Sequence, residues 1–264
     1  MLSLQVTHLY VYPIKSLAGI ALDEVALTSR GFRHDREWML VDSNNRFISQ
    51  REIPELAKFI PCIENNLLKV SYDQTCISID LNYKPELKLN TTVWDDTVYA
   101  ETQDPKVNQW FSTHLKTSVR LVRKTKENPR GVKNHPDTNI NFADGSQFLI
   151  IGEASLHDLN SRLDQDIPIN RFRPNIVVNT SNPYAEDEWN EISIGRHHFI
   201  STKLCSRCII INTDQHTSKV YKEPLKTLST YRKWNNKVYF GQFLKLTSDV
   251  LGSLKLGSEV QVIT

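Results

Sequence analysis

The chain has 264 residues, a formal net charge of +2, 39% hydrophobic residues and 23% charged residues. This length allows one large or two small domains, and the composition is that of an ordinary globular protein rather than a disordered or fibrous one. The small net charge argues against the clustered basic footprint of a nucleic-acid-binding protein, and no apolar run approaches the ~20 residues needed to cross a bilayer. Neither nucleic acid nor membrane is therefore expected as a partner.

The N-terminus lacks the basic start and small-residue cleavage site of a secretory signal, so a cytoplasmic location is expected. The four cysteines, Cys62, Cys76, Cys205 and Cys208, are then expected as reduced thiols. Leu2, Leu4, Val6, His8 and Tyr10 alternate with Ser3, Gln5 and Thr7, which predicts a strand with one buried face. Three hairpins follow. Trp38–Val41 and Phe47-Ile48 flank Asp42–Asn45, Leu67–Tyr72 and Cys76–Ile79 flank Asp73-Gln74, and Val93 and Val98 bracket Asp95-Asp96.

Asp104 before Pro105 reads as an N-cap, with Val107, Trp110, Phe111 and Leu115 at helical spacing. The stretch Arg120–His135 is the least periodic. It carries Arg120, Arg123, Lys124, Lys126, Arg130 and Lys133 against Glu127, and reads as a solvated loop or as a docking patch for an acidic redox partner. A second helix is expected after Gly152 with Leu156, Leu159 and Leu163 in one stripe, and a third near Pro224 with Leu225, Leu228 and Tyr231. Short strands close the chain at Val238–Phe240, Leu244–Leu246, Leu254–Leu256 and Val260–Ile263. The fold class is mainly β with peripheral helices (α+β), divided at the first helix into residues 1–103 and 104–264.

Cys205-Ser206-Arg207-Cys208 is the most informative stretch. Four readings stand beside one another: structural zinc, a redox dithiol, two buried structural cysteines, and a single thiolate on a soft metal. Zinc lacks a second ligand pair at suitable spacing. A dithiol normally opens a helix, whereas Ile209, Ile210 and Ile211 argue for a strand. A single thiolate suits a soft metal, and Arg207 would favour its ionised form. Other positions suit anions: Lys15-Ser16 after a proline turn, Asp35-Arg36, Arg173-Pro174-Asn175, and the loop Phe142-Ala143-Asp144-Gly145-Ser146, whose backbone N–H groups suit a phosphate.

Together with Val11–Ser16, Asp35–Trp38, Glu153–Leu156, Phe172–Asn175, Tyr184–Asp187, Lys222–Leu225 and Phe240–Gln242, these stretches resemble the two-part MOSC proteins. That family includes the mitochondrial amidoxime-reducing components and bacterial relatives without a ferredoxin domain. The resemblance implies an N-terminal β-barrel-like domain and a MOSC β-barrel domain, with the molybdenum cofactor (Mo-molybdopterin) between them. It implies that Cys208 is the protein ligand to molybdenum. It further implies that Lys15, Ser16, Arg36, Ser146, Arg173, Asn175, Ser206 and Arg207, with the backbone of Gly145, embrace the pterin and its phosphate. Asp144 would lie beside the metal and pass protons, and Cys205 would be structural.

The implied activity is reduction of small N-hydroxylated molecules: amidoximes, hydroxylamines or N-hydroxylated nucleobases. The cysteines are too few for an iron–sulfur cluster, so electrons are expected from a separate donor protein, a flavin, haem or iron–sulfur reductase. A non-catalytic cofactor carrier and a persulfide sulfur-transfer protein are the alternatives. Two positions depart from the family pattern: Gly145 stands where a threonine is expected, and Phe243 where a tyrosine is.

Overall fold

A computed structural model describes residues 3–264 except 86, 126, 128 and 248–250, so Leu2 and Lys126 of the expected elements lie outside the described residues. The largest sheet runs, edge to edge, through Ile20–Leu22, Val6–Val11, Ile176–Val178, Phe148–Gly152, Lys237–Leu246, His197–Arg207, Glu191–Ile194 and Val260–Val262. Phe148–Gly152 and Ile176–Val178 pair in parallel, and the other neighbours along this path are antiparallel. The parallel step needs a crossover, which a tight hairpin cannot supply. The helix Glu153–Asn160 lies in that connection. A buried cluster including Leu9, Phe32, Phe148, Ile176, Phe199 and Val260 fills one side, and Phe172, Phe240, Ile211 and Leu228 belong to another.

The other lobe is built on the antiparallel sheet Trp38–Val41, Arg120–Lys124, Asp96–Thr102 and Lys88–Val93, beside the meander Ile60–Glu64, Leu67–Tyr72 and Thr75–Asp80. The helix Pro105–Leu115 is capped as its sequence predicts, Asp104 accepting from the Lys106 N–H at 2.8 Å. Its Val107 and Phe111 pack with Trp38, Leu40, Phe59 and Leu121 of this lobe. A division at 103/104 therefore cuts this helix from the sheet it covers. The strand Val6–Val11 crosses the other way, into the large sheet. Among the described residues no helix is long and apolar enough to cross a membrane.

Three expectations need correction. Arg120–Lys124 is a central strand, not part of a solvated loop. Its cations are engaged internally: Arg123 donates to Glu37 Oε1 at 2.8 Å and to the Leu81 carbonyl at 2.7 Å, and Lys124 is buried. Arg130, also buried, donates to Asp96 at 2.7 Å and to the Ala143 carbonyl at 2.5 Å, which leaves little of the supposed docking patch. Ile209–Asn212 is a short 3-10 helix rather than a strand, burying Ile211 while Ile209 stays exposed. The helix after Gly152 ends at Asn160, short of Leu163.

Val238–Phe240 and Leu244–Leu246 form one strand, Lys237–Leu246, because Gly241 bridges them at φ +76°. A Cβ there would stand 2.8 Å from the Ile150 carbonyl oxygen and 2.7 Å from Ile151 Cγ1. Gly241→Ala should accordingly cost about 2 kcal/mol or more, from left-handed strain and crowding together. A lowered urea midpoint with an unchanged m-value checks it; an unchanged midpoint would remove this account of the bent strand.

Candidate cofactor site

One cleft collects most of the residues singled out above. Its backbone frame is stitched by short-range bonds across distant segments. The Tyr12 N–H donates to Asp35 Oδ1 at 2.8 Å, the Arg36 N–H to the Tyr12 carbonyl at 2.8 Å, and the Lys15 N–H to the Trp38 carbonyl at 2.8 Å. The Tyr10 N–H meets the Asn175 carbonyl at 2.9 Å, and the Asn175 N–H meets the Leu149 carbonyl at 2.8 Å. Ser16, Arg36 and Arg173 sit at φ +70°, +47° and +54°. Left-handed backbone costs an ordinary residue roughly 1 kcal/mol or more, so three such residues at one cleft mark a place where geometry outranks stability.

Lys15, Arg36, Arg173 and Arg207 line this cleft, and Asp144 is the carboxylate among its lining residues. Arg36 bonds both oxygens of Asp35, at 2.8 and 2.6 Å, and Asn175 Oδ1 at 3.0 Å. Arg173 donates to the Leu17 carbonyl at 2.6 Å, and burial together with the nearby Arg36 charge pushes its guanidinium down to about 10. The Lys15 ammonium, 5% exposed, donates to the Phe142 carbonyl at 2.8 Å and to Asp144 Oδ1. Burial, helped by Arg130 and Arg36, lowers its hold on a proton. Burial pushes the Asp144 carboxyl up, but Lys15, the Trp94 indole N–H at 2.8 Å and Arg36 outweigh it and hold the group ionised. Its side chain is still 57% exposed.

The two cysteines of the pair differ. Cys205 is buried with Phe172 and Phe240, and burial raises its thiol above the ordinary range. Cys208 is exposed, lines the cleft and precedes the short 3-10 helix. Arg207 does not pair with Cys208 as the sequence suggests; it donates to Cys205 Sγ at 2.9 Å and to the Phe172 carbonyl at 2.6 Å. Its Nε–H is buried with no acceptor.

Among the other expected residues, Ser16, Ser146, Asn175 and Ser206 also line the cleft. Ser146 spends its hydroxyl on the Leu244 carbonyl at 2.8 Å. The Asn175 side chain serves Arg36, the Leu149 N–H at 3.2 Å and the Tyr10 carbonyl at 3.2 Å, so it orients neighbours. Gly145 is not among the lining residues, because a Cβ built there would stand 2.3 Å from the Phe243 ring. The two departures from the family pattern are thus one packing solution: the ring fills the place of the missing side chain. Sequence reading missed Gln50, a buried lining residue that donates to the Ser16 carbonyl at 2.7 Å, and Trp94. Nothing local marks Gln50; Trp94 interrupts a turn otherwise made of aspartates, a signal that was there to read.

Residues 3–118 match the MOSC N-terminal β-barrel domain and residues 137–261 match the MOSC domain. The chain is 30% identical to the human mitochondrial amidoxime-reducing component 1, over 98% of this chain and 82% of that protein. It is 33% identical to the molybdenum cofactor sulfurase of Solanum lycopersicum over 90% of this chain, and spans about a third of that protein's length, 33%. The YUAD protein of Bacillus subtilis aligns at a TM-score of 0.40 with 10% identity, over 98% of this chain and 94% of that one, too loosely to carry weight. The chain belongs to the MOSC family, with both the N-terminal β-barrel and the MOSC domain.

Two predictions follow from the site itself. In the cofactor-free protein, Cys205→Ala should cost about 1 to 2 kcal/mol of stability through lost packing, whereas Cys208→Ala should leave the melting temperature nearly unchanged. Equal losses in a thermal melt would contradict the difference in burial. The Asp144 carboxyl has a depressed folded value, so its ionised form stabilises the protein above the ordinary 3.8, and this is lost as pH falls toward the depressed value. Wild type should therefore be more stable than Asp144→Asn at pH 7, with the gap closing only below about pH 4 in parallel denaturation series.

Proposed function

We propose that this chain binds the molybdenum cofactor in the cleft through Cys208, and that it reduces N-hydroxylated small molecules with electrons from a separate protein. The observation that carries the reading is the grouping of Lys15, Arg36, Arg173 and Arg207 around one accessible thiol. The donor set fits the group. Cations gathered in one cleft, Lys15 buried and the arginines partly so, suit an anionic ligand, and the buried Arg207 Nε–H lacks the acceptor that such a group normally has. Among the described residues no three His, Cys, Asp or Glu side chains gather as a metal site, and Cys208 is the exposed thiol of the cleft. That suits a metal whose remaining ligands arrive with its cofactor.

When bound, the cofactor supplies the two-electron chemistry that converts an N–O bond to an N–H bond and water. Cys208 holds the metal, and the arginines with Lys15 hold the anionic parts of the cofactor. Asp144, kept ionised, accepts a hydrogen bond from the substrate N-hydroxyl rather than donating a proton at the outset. The reduction consumes two protons: the Lys15 ammonium on Asp144 Oδ1 can supply one, relayed by Asp144 to the departing oxygen, and solvent at the exposed side of Asp144 supplies the other. The partial match to molybdenum cofactor sulfurases favours one second reading, in which Cys208 carries a persulfide instead.

Protein expressed in a cofactor-competent host should contain close to one molybdenum per chain and release a fluorescent pterin on oxidation. Cys208→Ala should lose the metal, and Cys205→Ala should keep it. Turnover of an amidoxime should appear with a reduced viologen and not with NADH or NADPH alone. Zinc without pterin would overturn the assignment, and a mass gain of one sulfur without metal would select the persulfide reading.

A further inference from the structure

The turn between Lys88–Val93 and Asp96–Thr102 is Trp94-Asp95, and Trp94 has φ +57°. Two-residue hairpin turns favour glycine or asparagine at such positions, because a larger side chain is strained there. A tryptophan that persists in this conformation is over-determined by its surroundings. Three contacts do so: the indole N–H donates to Asp144 Oδ1 at 2.8 Å, the Arg51 guanidinium lies 4.2 Å from the ring centre, and the Phe47 ring lies 5.1 Å away. The ring nevertheless remains 43% exposed, so burial of apolar surface is not the whole reason for a tryptophan at this turn.

The hairpin tip thus bonds directly to a side chain that lines the cleft, and Arg130 links its Asp96 to the Ala143 carbonyl beside it. Asp144 Oδ1 receives two donors, the Lys15 ammonium and the indole N–H, while Oδ2 has no hydrogen-bond partner among the described residues. Two donors on one oxygen fix the carboxylate's rotation about its Cβ–Cγ bond and bind its charged form. Either donor alone would hold it less firmly.

We propose that Trp94 is a positioning residue, whose indole N–H locks the Asp144 carboxylate so that Oδ2 is presented to the cleft as the acceptor for the substrate hydroxyl. The locking stands on the hydrogen bonds alone; the substrate role rests on the reductase reading above. Phenylalanine and glycine separate the two things Trp94 supplies. Trp94→Phe keeps a ring against Arg51 and Phe47 but removes the N–H, and Trp94→Gly removes both while relieving the backbone.

The test has a structural and a kinetic arm. In 1H–15N spectra of the cofactor-free protein, the Trp94 indole resonance, identified by its absence in Trp94→Phe, should exchange slowly with solvent despite its exposure. Asp144→Ala should shift it and speed its exchange. With viologen and an amidoxime, Trp94→Phe and Trp94→Gly should both lose on the order of tenfold in kcat, the size of one charge-assisted hydrogen bond, with KM changed less. Full activity in Trp94→Phe with loss only in Trp94→Gly would overturn the proposal in favour of ring packing. An indole resonance indifferent to Asp144→Ala would overturn it outright. Absence of turnover in wild type would sink the reductase reading, and the spectra would still decide whether Trp94 locks Asp144.

Discussion

Arg36 and Arg173 both rest their guanidinium groups over the buried ring of Tyr12, at 4.2 and 4.3 Å from its centre. Two cations resting on one ring in a partly desolvated place repel each other unless other groups answer them. The answers are spread across the chain: Asp35 and Asn175 on Arg36, the Leu17 carbonyl on Arg173, and the Pro174 carbonyl accepting the Tyr12 hydroxyl at 3.0 Å. Apart from the Asp35 pair, each of these ties an N-terminal segment to one near residue 175. The cluster therefore dictates how the strand Val6–Val11 is laid against Ile176–Val178, and it accounts for left-handed backbone at both arginines.

The crossing of the first strand into the large sheet is what makes a two-lobed chain into one site. Lys15 and Ser16 leave that strand at its end, Arg36 follows after a strand of the same region, and Asp144 comes from the loop before Phe148–Gly152. Cys208 ends the long strand His197–Arg207, where the chain turns into a single 3-10 turn. The bulges in that strand's pairing with Lys237–Leu246 lie between Ser201 and Lys203 and between Leu204 and Ser206, the second at Cys205 itself. Bulges re-aim side chains next to sites, and here one cysteine enters the core while the other reaches the cleft.

Neighbouring thiols with unlike surroundings divide the chemistry. Cys205, buried and with its thiol raised, is a packing residue that also engages Arg207. Cys208 is exposed in the same cleft that Arg36, Arg173 and Lys15 line. The Gly145–Phe243 pair shows the same economy on a smaller scale. A side chain lost in the loop is replaced by a ring from the neighbouring strand, and the wall of the cleft stays closed.

Much was legible from the residues alone. The capped helix Pro105–Leu115, the hairpins around Asp73 and Asp95, and the β-rich class all follow from local rules of period, capping and turn chemistry. The cationic residues and the reactive thiol were visible as types, because arginine and cysteine announce their chemistry wherever they stand. What the sequence could not state is which partners each would find. Arg120–Lys124 reads as a solvated basic stretch until Glu37, Leu81 and its neighbouring strands cover it, and three isoleucines read as a strand until the sheet ends before them. Arg207 looks bound to assist Cys208 and turns instead to Cys205. Period and propensity act over a few residues and are written in the sequence; pairing of charges across more than a hundred residues, as in Lys15 with Asp144, is set only when the tertiary structure brings the segments together and removes the water between them.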